Sequence, residues 1–160
     1  MKTISQLIIT MMICLFSIQT WAQSGKLFNT DNQLSSNLAT QVFQDKSGFI
    51  WIATRNGLNT YDGYHITVIK KDMSNFLGLN SNYIISLAQD EKEHILLGTN
   101  NSLLEFTGSE FLKIPMLDSK GEELATYVKQ VYPLKNKDVA VATSGYGIML
   151  KKQDEQKCHA

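Results

Sequence analysis

The chain has 160 residues, with 15 basic and 15 acidic side chains and two cysteines. Its formal net charge of +0 and the absence of any basic stripe argue against a nucleic-acid partner held by charge. Two cysteines are too few for a disulfide-built scaffold, so stability must come from an apolar core.

Residues 1–22 read as a secretory signal peptide. Lys2 supplies a positive start, residues 7–18 form an apolar run broken only by Thr10 and Ser17, and Thr20-Trp21-Ala22 offers small residues at the −3 and −1 positions before Gln23. The run is short for a membrane anchor, and Ile13 stands before Cys14 where a lipoprotein signal needs a small residue. The mature chain is therefore expected in the periplasm, cleaved after Ala22 and without a membrane span. Cys14 leaves with the signal, so Cys158 has no partner. Fourteen basic and fifteen acidic residues remain in about 138 residues, the length of one ordinary domain.

The segment 45–63, D-K-S-G-F-I-W-I-A-T-R-N-G-L-N-T-Y-D-G, reads as a β-meander. Asp45 caps a turn in which Gly48 takes positive φ, and 49–54 alternates in β-branched and aromatic residues. Asn56-Gly57 signals a type I′ hairpin with both residues at positive φ. Leu58 to Tyr61 gives a return strand, and Asp62-Gly63 a second tight turn into 64–69. The pattern returns forty-five residues later without a gap: Gln44-Asp45 as Gln89-Asp90, Thr54 as Thr99, Leu58 as Leu103, Gly63 as Gly108, with Trp51 answered by Leu96 and Tyr61 by Phe106. A weaker third copy lies one residue closer, with Thr143 in the place of Thr54 and Gly147-Ile148 in that of Gly57-Leu58. A period near forty-five with about four short strands per unit marks an all-β fold of β-propeller blades.

The expected organisation is a lead-in at 23–33, blade one at 34–78, blade two at 79–123, a partial blade three at 124–151 and a frayed tail at 152–160. Strands are expected at 39–44, 49–54, 58–61 and 64–69; at 84–89, 94–99, 103–106 and 110–114; and at 127–134, 138–143 and 147–151, with the outer strand of blade three missing or frayed. Linkers at 70–78 and 115–123 are polar. Propellers close with four to eight blades, so three make an incomplete propeller whose open faces invite self-association or completion by further blades. The chain therefore reads as a fragment of a longer protein.

The pattern D-x-x-G-x-I-W-I-A-T-x-x-G-L-x-x-Y-D-G, preceded by L-S-S-N at 34–37 and a strand ending Q-D, resembles the two-component regulator propeller repeat. The resemblance extends from Leu34 to about Leu150 and is most specific in blade one. It implies the periplasmic sensor region of a hybrid two-component system of the Bacteroidetes, in which two propellers precede an immunoglobulin-like domain, a membrane span, a histidine kinase, a receiver and a DNA-binding region. It also implies a saccharide ligand, an oligosaccharide bound by loops at one end of the propeller. Those later parts lie outside this sequence, so no enzymatic activity attaches to it.

Each chemical candidate has a structural rival. Trp51 could stack on a sugar, but its repeat-defining position favours packing between blades. Asp45 and Asp90 could form a carboxylate pair for acid–base work or metal binding, yet one per blade at the same turn favours turn caps. Thr54, Thr99 and Thr143 end equivalent strands, where a hydroxyl can bond the next turn. His65, His94 and His159 show no metal-ligand spacing, and neither catalytic nor cofactor residues are expected. Glu93 stands where blade one has Gly48, so that turn must avoid the left-handed region or accept strain. A secreted propeller hydrolase or lectin is the rival function. Segment 45–51 superficially resembles a sialidase Asp box, but the Asp-to-Gly spacing is three rather than two, Phe43 replaces the leading Ser, and Arg55 is the only arginine. The sensor is the expected function, with a lectin as the alternative, since binding faces differ little from sensing faces.

Overall fold

The computed structural model describes residues 25–72 and 78–159, together with Ile4 and Gln6. Apart from Ile4 and Gln6, the expected signal peptide and its cleavage site fall outside the described residues, as does part of the linker at 70–78. Among the described residues, no helix is long and apolar enough to cross a membrane.

After a single 3-10 turn at Thr30–Asn32, the chain folds into three consecutive antiparallel sheets. The first contains β1 (Ala39–Gln44), β2 (Ile50–Thr54), β3 (Gly57–Tyr61) and β4 (Ile66–Ile69), hydrogen-bonded in chain order. The second repeats it with β5 (Ile84–Gln89), β6 (Ile95–Thr99), β7 (Leu103–Phe106) and β8 (Phe111–Ile114). These are propeller blades. Even the irregularity repeats: the first strand pair of each blade shifts register at Ala39/Gln41, Ile84/Ser86 and Val128/Gln130, a bulge that increases local twist.

The third sheet departs from expectation at its outer edge. It contains β9 (Met116–Leu117), β10 (Val128–Pro133), β11 (Val139–Thr143), β12 (Ile148–Lys151) and β13 (Cys158–His159), in the order β10-β11-β12-β13-β9. The segment 152–160 is thus not simply a frayed tail. Cys158 and His159 pair antiparallel with β12 and parallel with β9, and the Cys158 N–H donates to the Pro115 carbonyl at 2.9 Å. The supposed polar linker 115–123 likewise contributes β9, with Met116 fully buried. Two-residue strands carry almost no periodicity, so the sequence pattern gave no warning of either.

Two cores lie between the three sheets. In the first, Trp51, Ala53, Leu58 and Ile69 of blade one pack against Ile84, Leu97, Leu104 and Phe106 of blade two. In the second, Leu96 and Leu103 on the opposite face of blade two meet Val128, Val131, Val141 and Met149 of blade three. Strand alternation therefore sends one face of blade two to each neighbour. Gly98 permits this closeness, since a Cβ there would lie 2.6 Å from Val128 Cγ1.

Side chains on the inner strands stitch the blades together. The Gln41 amide brackets Leu87, donating to its carbonyl at 2.9 Å and accepting from its N–H at 2.7 Å. Its repeat equivalent, Ser86, accepts from Val131 N–H at 2.9 Å. The next in the series, Gln130, is exposed. Blade one also carries a partial cover on its other face: Leu34 is buried, Ser35 N–H donates to Asn59 Oδ1 at 2.8 Å, and Phe28 stands edge-on to Tyr61. The outward face of blade three is more open. Ile148 is 70% exposed and Leu150 47%, whereas their equivalents in blade two, Leu103 and Glu105, are 0% and 9%.

Candidate functional site

The turns of each blade gather at two ends, and the sequence-predicted residues divide between them. At one end lie the β2–β3, β6–β7 and β11–β12 turns with the connections entering β1, β5 and β10. Thr54 and Thr99 donate their hydroxyls to the carbonyls of Gly57 and Ser102, and Thr143 to that of Gly147, closing three equivalent turns. The first turn differs from the expected type I′ hairpin. Thr54 pairs with Gly57, so Arg55 and Asn56 are the central residues, and Gly57 (φ 134°) but not Asn56 has positive φ. Within this turn the Thr54 hydroxyl accepts from Asn56 N–H at 3.1 Å.

These turns hold up an aromatic and polar surface. The Arg55 guanidinium lies 5.3 Å from the centroid of the Tyr83 ring, and Tyr83 meets Tyr127 edge-on at 5.9 Å. The Tyr127 hydroxyl donates to that of Tyr83 at 3.1 Å. That bond, with burial second, pushes the Tyr127 ionisation above the usual phenol value and keeps it neutral. Tyr83 and Tyr127 sit at equivalent positions in blades two and three, immediately before their first strands. Asn56, Asn100 and the half-exposed Tyr146 occupy the surrounding turns. The sequence reading passed over Tyr83 and Tyr127; their recurrence at a near-repeat spacing was the available signal.

At the opposite end, Asp45 and Asp90 cap the β1–β2 and β5–β6 turns. Asp45 Oδ1 accepts from Phe49 N–H at 3.0 Å and Oδ2 from the Trp51 indole N–H at 2.7 Å. Asp90 Oδ1 accepts from Lys92 N–H at 2.8 Å and His94 N–H at 2.9 Å. The two aspartates serve separate turns and form no acid–base pair. Gly48 (φ 92°) and Glu93 (φ 66°) both take the left-handed conformation, so the blade-two turn accepts the strain. Trp51 is 6% exposed, edge-on to Phe106 across the blade junction, and packs as a strut. Leu58 and Leu103 are fully buried, and Gly63 and Gly108 (φ 101° and 99°) turn equivalent β3–β4 and β7–β8 corners. Tyr61 is half-buried and donates its hydroxyl to the Gly63 carbonyl.

A groove of about 600 Å³ runs between blades one and two at this end, with Phe49, Gln89 and His94 on its walls. A second, of about 450 Å³, lies between blades two and three beside Glu105. Asp90, His94 and Glu105 converge in blade two, with one potential ligand atom of each within 4.8 Å of the others. His94 and Glu105 are joined across β6 and β7, so local metal-ligand spacing could not reveal them.

The two component regulator propeller model matches residues 33–56, covering β1, β2 and the turn between them. No curated protein matches the chain in sequence. Among solved structures, the extracellular domain of the one component system BT4673 from B. thetaiotaomicron superposes with a TM-score of 0.65 at 16% identity, over 81% of this chain and 19% of that one. The extracellular domain of the hybrid two component system BT3049 from the same organism gives 0.64 at 19% identity, over 81% and 17%. PorZ, a surface component of the type-IX secretion system of Porphyromonas gingivalis, gives 0.58 at 15% identity, over 78% and 21%. This chain thus spans about a fifth of the length of each. It is an open run of three propeller blades, and the match to the two component regulator propeller model lies in the first half of the first blade.

Proposed function

We propose that this chain is the ligand-sensing part of a longer extracytoplasmic sensor, working in the periplasm after cleavage following Ala22, and that its ligand is a saccharide. The observation that carries the reading is the array of Arg55, Tyr83 and Tyr127 at one end of the blades. Aromatic rings take the C–H faces of a sugar, while guanidinium, phenol and nearby Asn56 and Asn100 amides meet its hydroxyls. The blade-one repeat and the likeness to extracellular domains of one- and two-component systems support the sensor role. The chain acts by binding, and any kinase belongs to another part of the protein. Further blades of the same kind cover the outward face of blade three.

The test is binding of a defined oligosaccharide panel to the chain and to Arg55→Ala. Arg55 is exposed and its loss leaves both cores untouched, so retention should fall at least tenfold with the melting temperature unchanged. Unchanged retention would reject this surface as the site. The likeness to PorZ favours a second reading, a surface glycan-binding component without signalling. Coding sequence beyond Ala160 separates the two: a membrane span followed by a kinase supports the sensor, and neither supports the binding component.

A further inference from the structure

We propose that Asp90, His94 and Glu105 form a binding site for a divalent transition-metal ion, with Zn²⁺ the best fit to one imidazole and two carboxylates. The comparison of blades one and two isolates the feature. Asp45 in blade one has both carboxylate oxygens satisfied, one by a backbone N–H and the other by the Trp51 indole. Blade two keeps the aspartate as Asp90 but has Leu96 in place of Trp51, so the indole donor is gone. Asp90 is only 7% exposed; Oδ1 accepts from two backbone N–H groups, while Oδ2 has no protein donor. Asp90 Oδ2 is not among the fully buried side-chain oxygens, so it is open to a ligand.

Two other replacements bring metal-binding atoms to the same place. His94 stands where blade one has Phe49, and Glu105 where it has Thr60. His94 Nδ1 lies 3.0 Å from Glu105 Oε1, and Glu105 is 9% exposed. With Zn–N and Zn–O bonds of about 2.0–2.2 Å, tetrahedral ligand atoms lie roughly 3.4 Å apart. The His94–Glu105 pair is already near that separation, and one carboxylate oxygen of Asp90 lies within 4.8 Å of both partners' ligand atoms. The two N–H groups on Asp90 Oδ1 orient its carboxylate with Oδ2 left to bind. One imidazole with two carboxylates balances the charge of a divalent cation, and the partly exposed His94 side leaves a fourth position to water.

Titration of Zn²⁺ into the purified chain by calorimetry at pH 7, with His94 followed by imidazole NMR, tests the site. One ion per chain should bind, shifting the His94 ring resonances and raising the melting temperature. His94→Gln and Glu105→Gln should each weaken binding by at least about 10-fold, the least that even an outer-shell change costs, whereas His65→Gln and His159→Gln should not. The last two control for the exposed His65–Asp62 and His159–Glu155 pairs. No saturable binding, binding lost only with His65 or His159, or a His94 ring that stays protonated against Glu105 with resonances unmoved by Zn²⁺ would each overturn the proposal. The NMR readout on the native chain decides the matter even if His94→Gln does not fold.

Discussion

The Trp51 indole N–H donates to Asp45 Oδ2 at 2.7 Å, so the residue that fills the junction between blades one and two also fastens the turn that starts its own strand. Local turn chemistry and inter-blade packing are thus coupled through one side chain.

Trp51→Ala should destabilise the fold by about 3–5 kcal/mol, from lost apolar burial and the cavity left against Phe106. Trp51→Phe keeps most of the packing but removes the donor, and should cost about 1–3 kcal/mol. Denaturant unfolding of both variants checks this. Loss of ligand binding at unchanged stability would instead make Trp51 a contact surface.

Gly98→Ala should destabilise by about 1–3 kcal/mol through overpacking, because its Cβ would fall 2.6 Å from Val128 Cγ1 and 3.2 Å from the Val128 carbonyl oxygen. Val128→Ala alone leaves a cavity. Combined with Gly98→Ala it should cost clearly less than the sum of the single changes, because each relieves the other. Strict additivity would contradict the close approach of β10 to β6.

The repeat and its strands were legible because Asp45 to Gly63 carries turn residues and alternation together, and Asp90 to Gly108 carries them again. The conformation of Glu93 was less legible. It takes φ 66° because the turn is fixed by its Asp90 cap and flanking strands, so tertiary context overrides local preference. Still less legible was the edge of blade three, where Met116 and Cys158 join segments forty-two residues apart through a parallel pair too short to show a period. The candidate sites were hardest to see. Tyr83 and Tyr127, like His94 and Glu105, meet only when neighbouring blades or strands pair.

Cys158 provides a reporter for that edge. It is fully buried beneath blade three, and burial pushes its thiol pKa up to about 12, with nearby Lys151 only partly opposing the shift. Its reaction with iodoacetamide at pH 8 should therefore be far slower in the native chain than in the denatured one. Because the folded pKa is raised, the unfolded chain releases this proton first. The thiol's contribution to stability is complete below about pH 8.5 and declines as pH rises toward 12. Native reaction at the denatured rate would show that β13 does not hold its place.

The central claim is that three blades form a stable but open run whose last face requires a partner. Sedimentation velocity of residues 23–160 over a concentration series, alongside Ile148→Lys and Leu150→Lys, tests it most directly. The wild-type chain should self-associate reversibly, and each substitution on the 70% and 47% exposed positions should shift it toward monomer while preserving the β-sheet spectrum. A compact wild-type monomer at every concentration, unaffected by either lysine, would contradict the account.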